Sequence, residues 1–188
     1  MPQSRRYKKK KSAGKAILAW IIVLAILAAA VFVFVSVFYE DTKKKLDEMN
    51  YPRTYSTYVE KAAKDYDLDP ALIYAVIHTE SGFDPKAESG VGAKGVMQMM
   101  PSSFEWLQEQ RGCAGQYTED DLFDPEICID YGSYLLKYFY DYYGTERSAI
   151  AAYNAGFVVS DWLNDTNYSS DGKNLDSIPY PETENYVD

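Results

Sequence analysis

The stretch His78 to Pro101, HTESGFDPKAESGVGAKGVMQMMP, is the one whose reading decides the fold of this chain. Just before it, Asp69-Pro70 is a helix start: the Asp supplies an N-cap oxygen and Pro suits the first helical position. Leu72, Ile73, Val76 and Ile77 then recur at helical spacing, and Gly82 is a natural stop. The spacing predicts a helix with Glu80 in its last turn. Asp84 to Lys94 reads as loop, with at most a short hairpin near Gly90 to Gly95. Gly90, Gly92 and Gly95 permit close backbone approach or positive φ, and their spacing fits neither a P-loop nor a dinucleotide fingerprint. Gln98 follows among Met97, Met99 and Met100, and its amide both donates and accepts. One acid beside a glycine-rich loop and an amide can hold an extended, uncharged polar ligand in a cleft.

Helices are expected on both sides of this stretch, and no segment alternates like a strand. Tyr55 to Tyr66 has apolar positions near the 3.6 period. Ser102 and Glu105 fit a capping box that opens a helix to Arg111. Asp124-Pro125 repeats the Asp-Pro start and leads to about Tyr143, where Gly144 closes the helix. Thr145 can cap a helix over Glu146 to Asn154, ending at Gly156. Val158 to Asn164 reads as a short helix, Ser169 to Pro181 as loop, and Pro181 as the start of a last helix.

Charge divides the 188 residues sharply. Residues 1–38 hold seven basic residues and no acidic one; the remaining 12 basic residues face all 28 acidic ones, a formal charge of −16 after Phe38. An acidic domain of this kind argues against nucleic acid as a partner, because phosphate neutralisation dominates such binding. Ala16 to Phe38 is an apolar run of 23 residues interrupted only by Ser36. At about 1.5 Å per residue it spans a hydrocarbon core of about 30 Å. A cleaved signal peptide has a shorter apolar region; Ala28 to Ala30 leave cleavage open as the alternative. The organisation expected is a basic tail over 1–15, a transmembrane anchor over 16–38, a linker over 39–50 and one domain over 51–188. The basic cluster ahead of the run puts the N-terminus in the cytoplasm and the domain outside the cell membrane.

Outside the cell a disulfide is permitted. Cys113 and Cys128 would close a loop of about 15 residues, adding about 3 kcal/mol in the chain-entropy model; the alternative is two buried free thiols. Two cysteines and one histidine make a zinc site a poor reading. His78 lies two residues from Glu80, about 200° round the helix, so the two cannot face one site. A carboxylate at a helix C-terminus meets the negative end of the macrodipole, and burial adds to the effect. Both keep Glu80 protonated near neutral pH, as a general acid requires. Tyr131, Tyr134, Tyr138 and Tyr142 recur at helical spacing and read as a packing stripe rather than a sugar platform.

Three further blocks follow in order: DLFDPEICIDYGSYL over Asp121 to Leu135, AIAAYNAG over Ala149 to Gly156, and PYPETENYV over Pro179 to Val187. With Glu80 to Pro101 they resemble the lytic transglycosylase domain of glycoside hydrolase family 23, the soluble-lytic-transglycosylase type similar to goose-type lysozyme. The resemblance covers about Tyr55 to Asp188. It implies a mainly α, lysozyme-like domain; the reading of the residues adds at most a short β-hairpin, one transmembrane helix ahead of the domain, and no cofactor or metal. It implies Glu80 as the catalytic acid/base, followed by Ser81. Met97 and Gln98 match cleft-lining residues, Tyr153 and Asn154 the pair beside the acid, and Glu182 a glutamate on the substrate side. Val96 stands where Leu is more usual, and where the family's last block continues as a closing helix only Tyr186-Val187-Asp188 remain, so either the sequence is cut short or the domain lacks that element. The substrate implied is the peptidoglycan glycan strand, cut between N-acetylmuramic acid and N-acetylglucosamine to leave a 1,6-anhydro end. A hydrolytic muramidase on the same fold and a non-catalytic wall-binding scaffold are the alternatives.

Overall fold

A computed structural model describes residues 13–50 and 54–188, which fall into two units, Met1–Pro52 and Arg53–Asp188. The first is one helix, α1 (Ala13–Asn50). Its stretch Ile17–Tyr39 is apolar and long enough to cross a membrane. Ser36 turns its hydroxyl back onto the Phe32 carbonyl at 2.8 Å, which satisfies that donor within the helix. Residues 39–50, expected to be a linker, continue the same helix. Their Lys, Glu, Leu and Met are good helix formers. The basic tail over residues 1–12 lies outside the described residues.

The second unit is built from seven helices among the described residues: α2 (Ser56–Tyr66), α3 (Pro70–Ser81), α4 (Pro101–Gln110), α5 (Pro125–Tyr143), α6 (Glu146–Ala155), α7 (Val159–Asn164) and α8 (Pro181–Val187). The Asp-Pro starts form as read: Asp69 and Asp124 each accept a backbone N–H two residues on, at 2.8 Å. Thr145 caps α6 through Ser148. Gly82 and Gly144 end α3 and α5 in left-handed conformation. The expected capping box at Ser102 and Glu105 does not form. Met100 occupies the N-cap of α4 with extended backbone, and Pro101 takes the first helical position. The residue before a proline is driven out of the α region, so the helix begins two residues earlier than a Ser102 cap would place it. The short hairpin is reduced to two isolated antiparallel bridges, Glu88 with Lys94 and Lys94 with Met99.

The long helix α5 is the axis of the domain, packing against α2 on one side and α6 on the other. Ile129, Leu136, Ile73, Ile77, Phe104 and Leu122 are wholly or nearly wholly buried around it. At Gly132 the helix surface is bare, and an added Cβ would sit 2.6 Å from the Met97 sulfur. Met97 therefore packs directly onto the α5 backbone. The tyrosine stripe divides. Tyr131 is buried, Tyr134 and Tyr138 half-buried, and Tyr142 is exposed. The Arg111 guanidinium lies over Tyr131 and Tyr134 at 4.4 and 5.1 Å, and donates to Asp130 at 2.7 Å.

The expected disulfide is absent: Cys113 and Cys128 are both free. Cys128 points inward from the start of α5, where its sulfur accepts the Met97 N–H at 3.4 Å. Cys113 meets the Tyr131 hydroxyl at 3.3 Å, one turn along the same helix. A disulfide needs Cβ vectors that converge, and sequence spacing carries no direction. Burial pushes the Cys128 thiol up to about 12, so it stays protonated.

Candidate active site

α3 delivers Glu80 because it stops where it does. Gly82 turns left-handed and donates to the His78 carbonyl at 3.0 Å, which leaves Glu80 in the final turn. Ser81 then ties that end to the following loop, donating to the Val96 carbonyl at 2.8 Å as well as to Ile77 at 3.1 Å. The hydroxyl of Ser81 is thus spent on holding two segments in register.

The loop is braced from within. Gln98 has φ 46°, and its amide nitrogen donates to Ala87 at 3.1 Å and Gly95 at 3.0 Å. Gly95 has φ 79°, and a Cβ there would lie 2.0 Å from the Leu122 carbonyl oxygen. Only glycine fits that contact. Lys94, almost entirely buried, reaches Glu119 and Asp120 at 3.2 and 3.0 Å. Met97 has no exposed surface. Its part in the site is its carbonyl, which accepts the Tyr153 hydroxyl at 2.9 Å. Of the expected cleft residues, Ser81, Met97 and Gln98 therefore build the wall.

On the opposite side α6 supplies Tyr153 and Asn154, and α8 supplies Glu182 in its first turn. Asn154 Oδ1 accepts the hydroxyl of Thr183 at 2.7 Å, and Thr183 is only 2% exposed. The amide nitrogen of Asn154 has no protein partner among the described residues. The Tyr186 hydroxyl donates to Glu80 Oε1 at 2.7 Å. Thr183 and Tyr186 are residues the sequence reading did not single out. Both stand in the block PYPETENYV, three apart, and so share one face of α8. Glu182 falls off that face and is exposed.

The electrostatics agree with the geometry. Burial raises the Glu80 carboxyl above its ordinary value, the charge of Glu182 adds to this, and the Tyr186 hydrogen bond opposes it. Burial, then the Glu80 charge, pushes Tyr153 and Tyr186 well up, so both remain donors at any physiological pH. His78 is exposed on the other face of α3, with its ring edge-on to Phe83 at 6.1 Å.

A half-buried carboxyl with one oxygen fixed, beside a tyrosine and an asparagine, is a site for delivering a single proton. Residues 57–175 match the transglycosylase SLT domain. The chain belongs to this family. The chain is 32% identical over 143 residues to the soluble lytic murein transglycosylase of Escherichia coli K12, a match covering 74% of the chain and 22% of that relative. It is 35% identical over 113 residues to membrane-bound lytic murein transglycosylase C of Actinobacillus succinogenes, covering 55% of the chain and 32% of the relative. The structure of lytic transglycosylase Slt from Pseudomonas aeruginosa, solved as an inactive Glu-to-Gln mutant, superposes with a TM-score of 0.64 at 30% identity, covering 75% of the chain and 23% of the neighbour. The chain spans about a fifth to a third of the length of these proteins. The fold is the mainly helical, lysozyme-like one expected. The SLT match ends before α8, the helix that carries Thr183 and Tyr186.

Proposed function

We propose that the chain is a peptidoglycan lytic transglycosylase in which Glu80 is the single acid/base. The observation that carries this reading is the Tyr186–Glu80 hydrogen bond of 2.7 Å on a carboxyl whose pKa burial raises. Tyr186 holds Oε1, so Oε2 is the oxygen left to bear the transferable proton. Glu80 gives that proton to the glycosidic oxygen between N-acetylmuramic acid and N-acetylglucosamine. The bond to the leaving sugar breaks, and the 2-acetamido group of the muramoyl sugar stabilises the developing cation. Asn154, with its amide nitrogen unengaged, is the group suited to orient that acetamide. Glu80, now ionised, takes a proton from the 6-hydroxyl of the same sugar, which attacks its own anomeric carbon. The product is a 1,6-anhydro end formed without water. An attack within one sugar gains from high effective molarity.

Ordinary glycoside hydrolysis requires two carboxyl groups in defined roles. Glu182 acts on Glu80 electrostatically, and this favours a hydrolytic muramidase as the second reading. Its exposure argues for a supporting part, since a base that activates water belongs in the cleft. The apolar helix α1 and the membrane-bound relative support anchoring through residues 16–38, with the basic tail in the cytoplasm and the SLT domain outside, against the wall.

The test is product analysis on purified sacculi. Wild type releases anhydro-muropeptides, and Glu80→Gln releases less than about 1% as much, since loss of a general acid costs 10²–10⁴-fold. Products heavier by one water select the muramidase. Appreciable turnover by Glu80→Gln rejects the assignment of the acid.

A further inference from the structure

Gly156 ends α6 with φ 77° and ψ −157°, a backbone region that is essentially glycine-only. The turn it opens, Gly156–Val158, brings Phe157 out three residues beyond Asn154. Phe157 is 49% exposed, yet four rings surround it: Trp106, Tyr138, Phe139 and Tyr142, at 6.3, 6.3, 5.3 and 5.9 Å between centroids. Tyr142 is 58% exposed, and Trp106 and Tyr138 are half-buried, crossing edge to face at 4.9 Å. The Trp106 indole N–H and the Tyr138 and Tyr142 hydroxyls make no hydrogen bond to protein among the described residues. Aromatic side chains contribute most when buried, and a contiguous exposed patch of them marks a surface that something covers.

Two features indicate what covers it. The patch begins next to the site in the chain: Phe157 follows the Tyr153-Asn154 pair through Gly156, three residues after Asn154 and so no more than about 11 Å of chain from it. The chain after Phe38 also carries a formal charge of −16, so attraction to an acidic wall polymer has to come from uncharged faces. A pyranose ring presents such a face: its axial C–H groups lie flat on an aromatic ring while its hydroxyls reach polar groups at the edge.

We propose that Phe157, Trp106, Tyr138 and Tyr142 form a stacking platform for a sugar of the same glycan strand, beyond the sugars held at Glu80. The platform makes the domain selective for long strands. The inference rests on the cleft reading given under the proposed function, but binding and turnover test the two separately.

The experiment uses the full chain in detergent micelles with Glu80→Gln, so that strands stay intact. Binding of long, un-crosslinked glycan strands is compared with that of a tetrasaccharide. Tyr142→Ser and Phe157→Ser are introduced singly, with thermal unfolding as the check on folding. Tyr142, being mostly exposed, is removed without touching the core. Each variant is expected to weaken long-strand binding about 5- to 10-fold, the size of one aromatic contact, while tetrasaccharide binding stays within two-fold. Unchanged long-strand affinity, with or without a change in association state, overturns the platform. Equal losses on the two ligands also overturn it, because they place the damage in the cleft.

Discussion

Removing one oxygen atom tests the active-site geometry most directly. In Tyr186→Phe the ring stays in place and the 2.7 Å hydrogen bond to Glu80 Oε1 is lost. That bond is the one influence that favours the ionised carboxylate; burial and Glu182 both oppose it. In the proposed mechanism Glu80 becomes ionised as it protonates the leaving oxygen, so the hydroxyl would stabilise the state formed after proton transfer. A hydrogen bond to a charged group contributes about 1.5–3 kcal/mol. Water reaches a half-buried carboxylate and replaces part of it, which leaves about 1.5–2 kcal/mol. The maximal rate should fall about 10- to 30-fold. The pH dependence has a definite sign. The acid step needs protonated Glu80 and fails as pH rises through its pKa. Without the donor that pKa moves higher, so the alkaline limb of the profile shifts to higher pH. The assay is release of anhydro-muropeptides from sacculi across the pH range, with thermal unfolding to confirm the fold. A rate within two-fold of wild type, with the alkaline limb unmoved, would refute the role of Tyr186.

Glu80→Gln should raise the melting temperature at neutral pH by a few degrees. A carboxyl whose folded pKa lies above its unfolded value gives full stability below the unfolded pKa and loses it as pH rises through the folded one. The gain should vanish below about pH 4, and thermal unfolding at several pH values checks both ends. Gly95→Ala should cost about 3 kcal/mol or more, because its Cβ would lie 2.0 Å from the Leu122 carbonyl oxygen at φ 79°; denaturant unfolding measures it. Cys113 should react with a maleimide in the folded protein and Cys128 only after unfolding. Mass analysis counts the labels, and an unlabelled native chain would restore the disulfide.

The helices were legible because their boundaries are chemical. Asp69-Pro70, Asp124-Pro125 and Thr145 satisfy orphan N–H groups locally, and Gly82 and Gly144 supply the left-handed stops, so each boundary depends on a few adjacent residues. The start of α4 was misread because two local signals compete there, and the steric demand of Pro101 on Met100 outweighs the Ser102 cap. Glu80 was legible through the same logic, since the residue that stops α3 also places the acid. Other features depend on direction in space, which spacing does not encode. Cys113 meets the Tyr131 hydroxyl while Cys128 turns to the Met97 N–H, and the two stay free. Met97 and Gln98 lie beside the site in sequence and in space, yet one is sealed against Gly132 and the other spends its amide on Ala87 and Gly95. The tyrosine stripe was half right, for Tyr131 is core while Tyr142 stands in solvent.

The part of the site that was hardest to foresee is also the part on which its chemistry depends. A helix of seven residues does not persist alone in water, so α8 holds its shape only by docking. Thr183 is buried and bonded to Asn154, Val187 packs on the core, and Asp188 pairs with Arg147 at 2.9 Å on the surface. An exposed pair of that kind adds little; Thr183 and Val187 carry the docking. Docked, α8 helps cover Glu80, sets the charge of Glu182 near it and presents the Tyr186 hydroxyl. Undocked, it would return Glu80 to water and remove both the neighbouring charge and the donor. The two influences that raise the Glu80 pKa would fall together with the one that lowers it. The raised pKa of Glu80 is therefore a property of the α3–α6–α8 assembly, and the Asn154–Thr183 bond joins α6 to the helix that bears Tyr186 and Glu182.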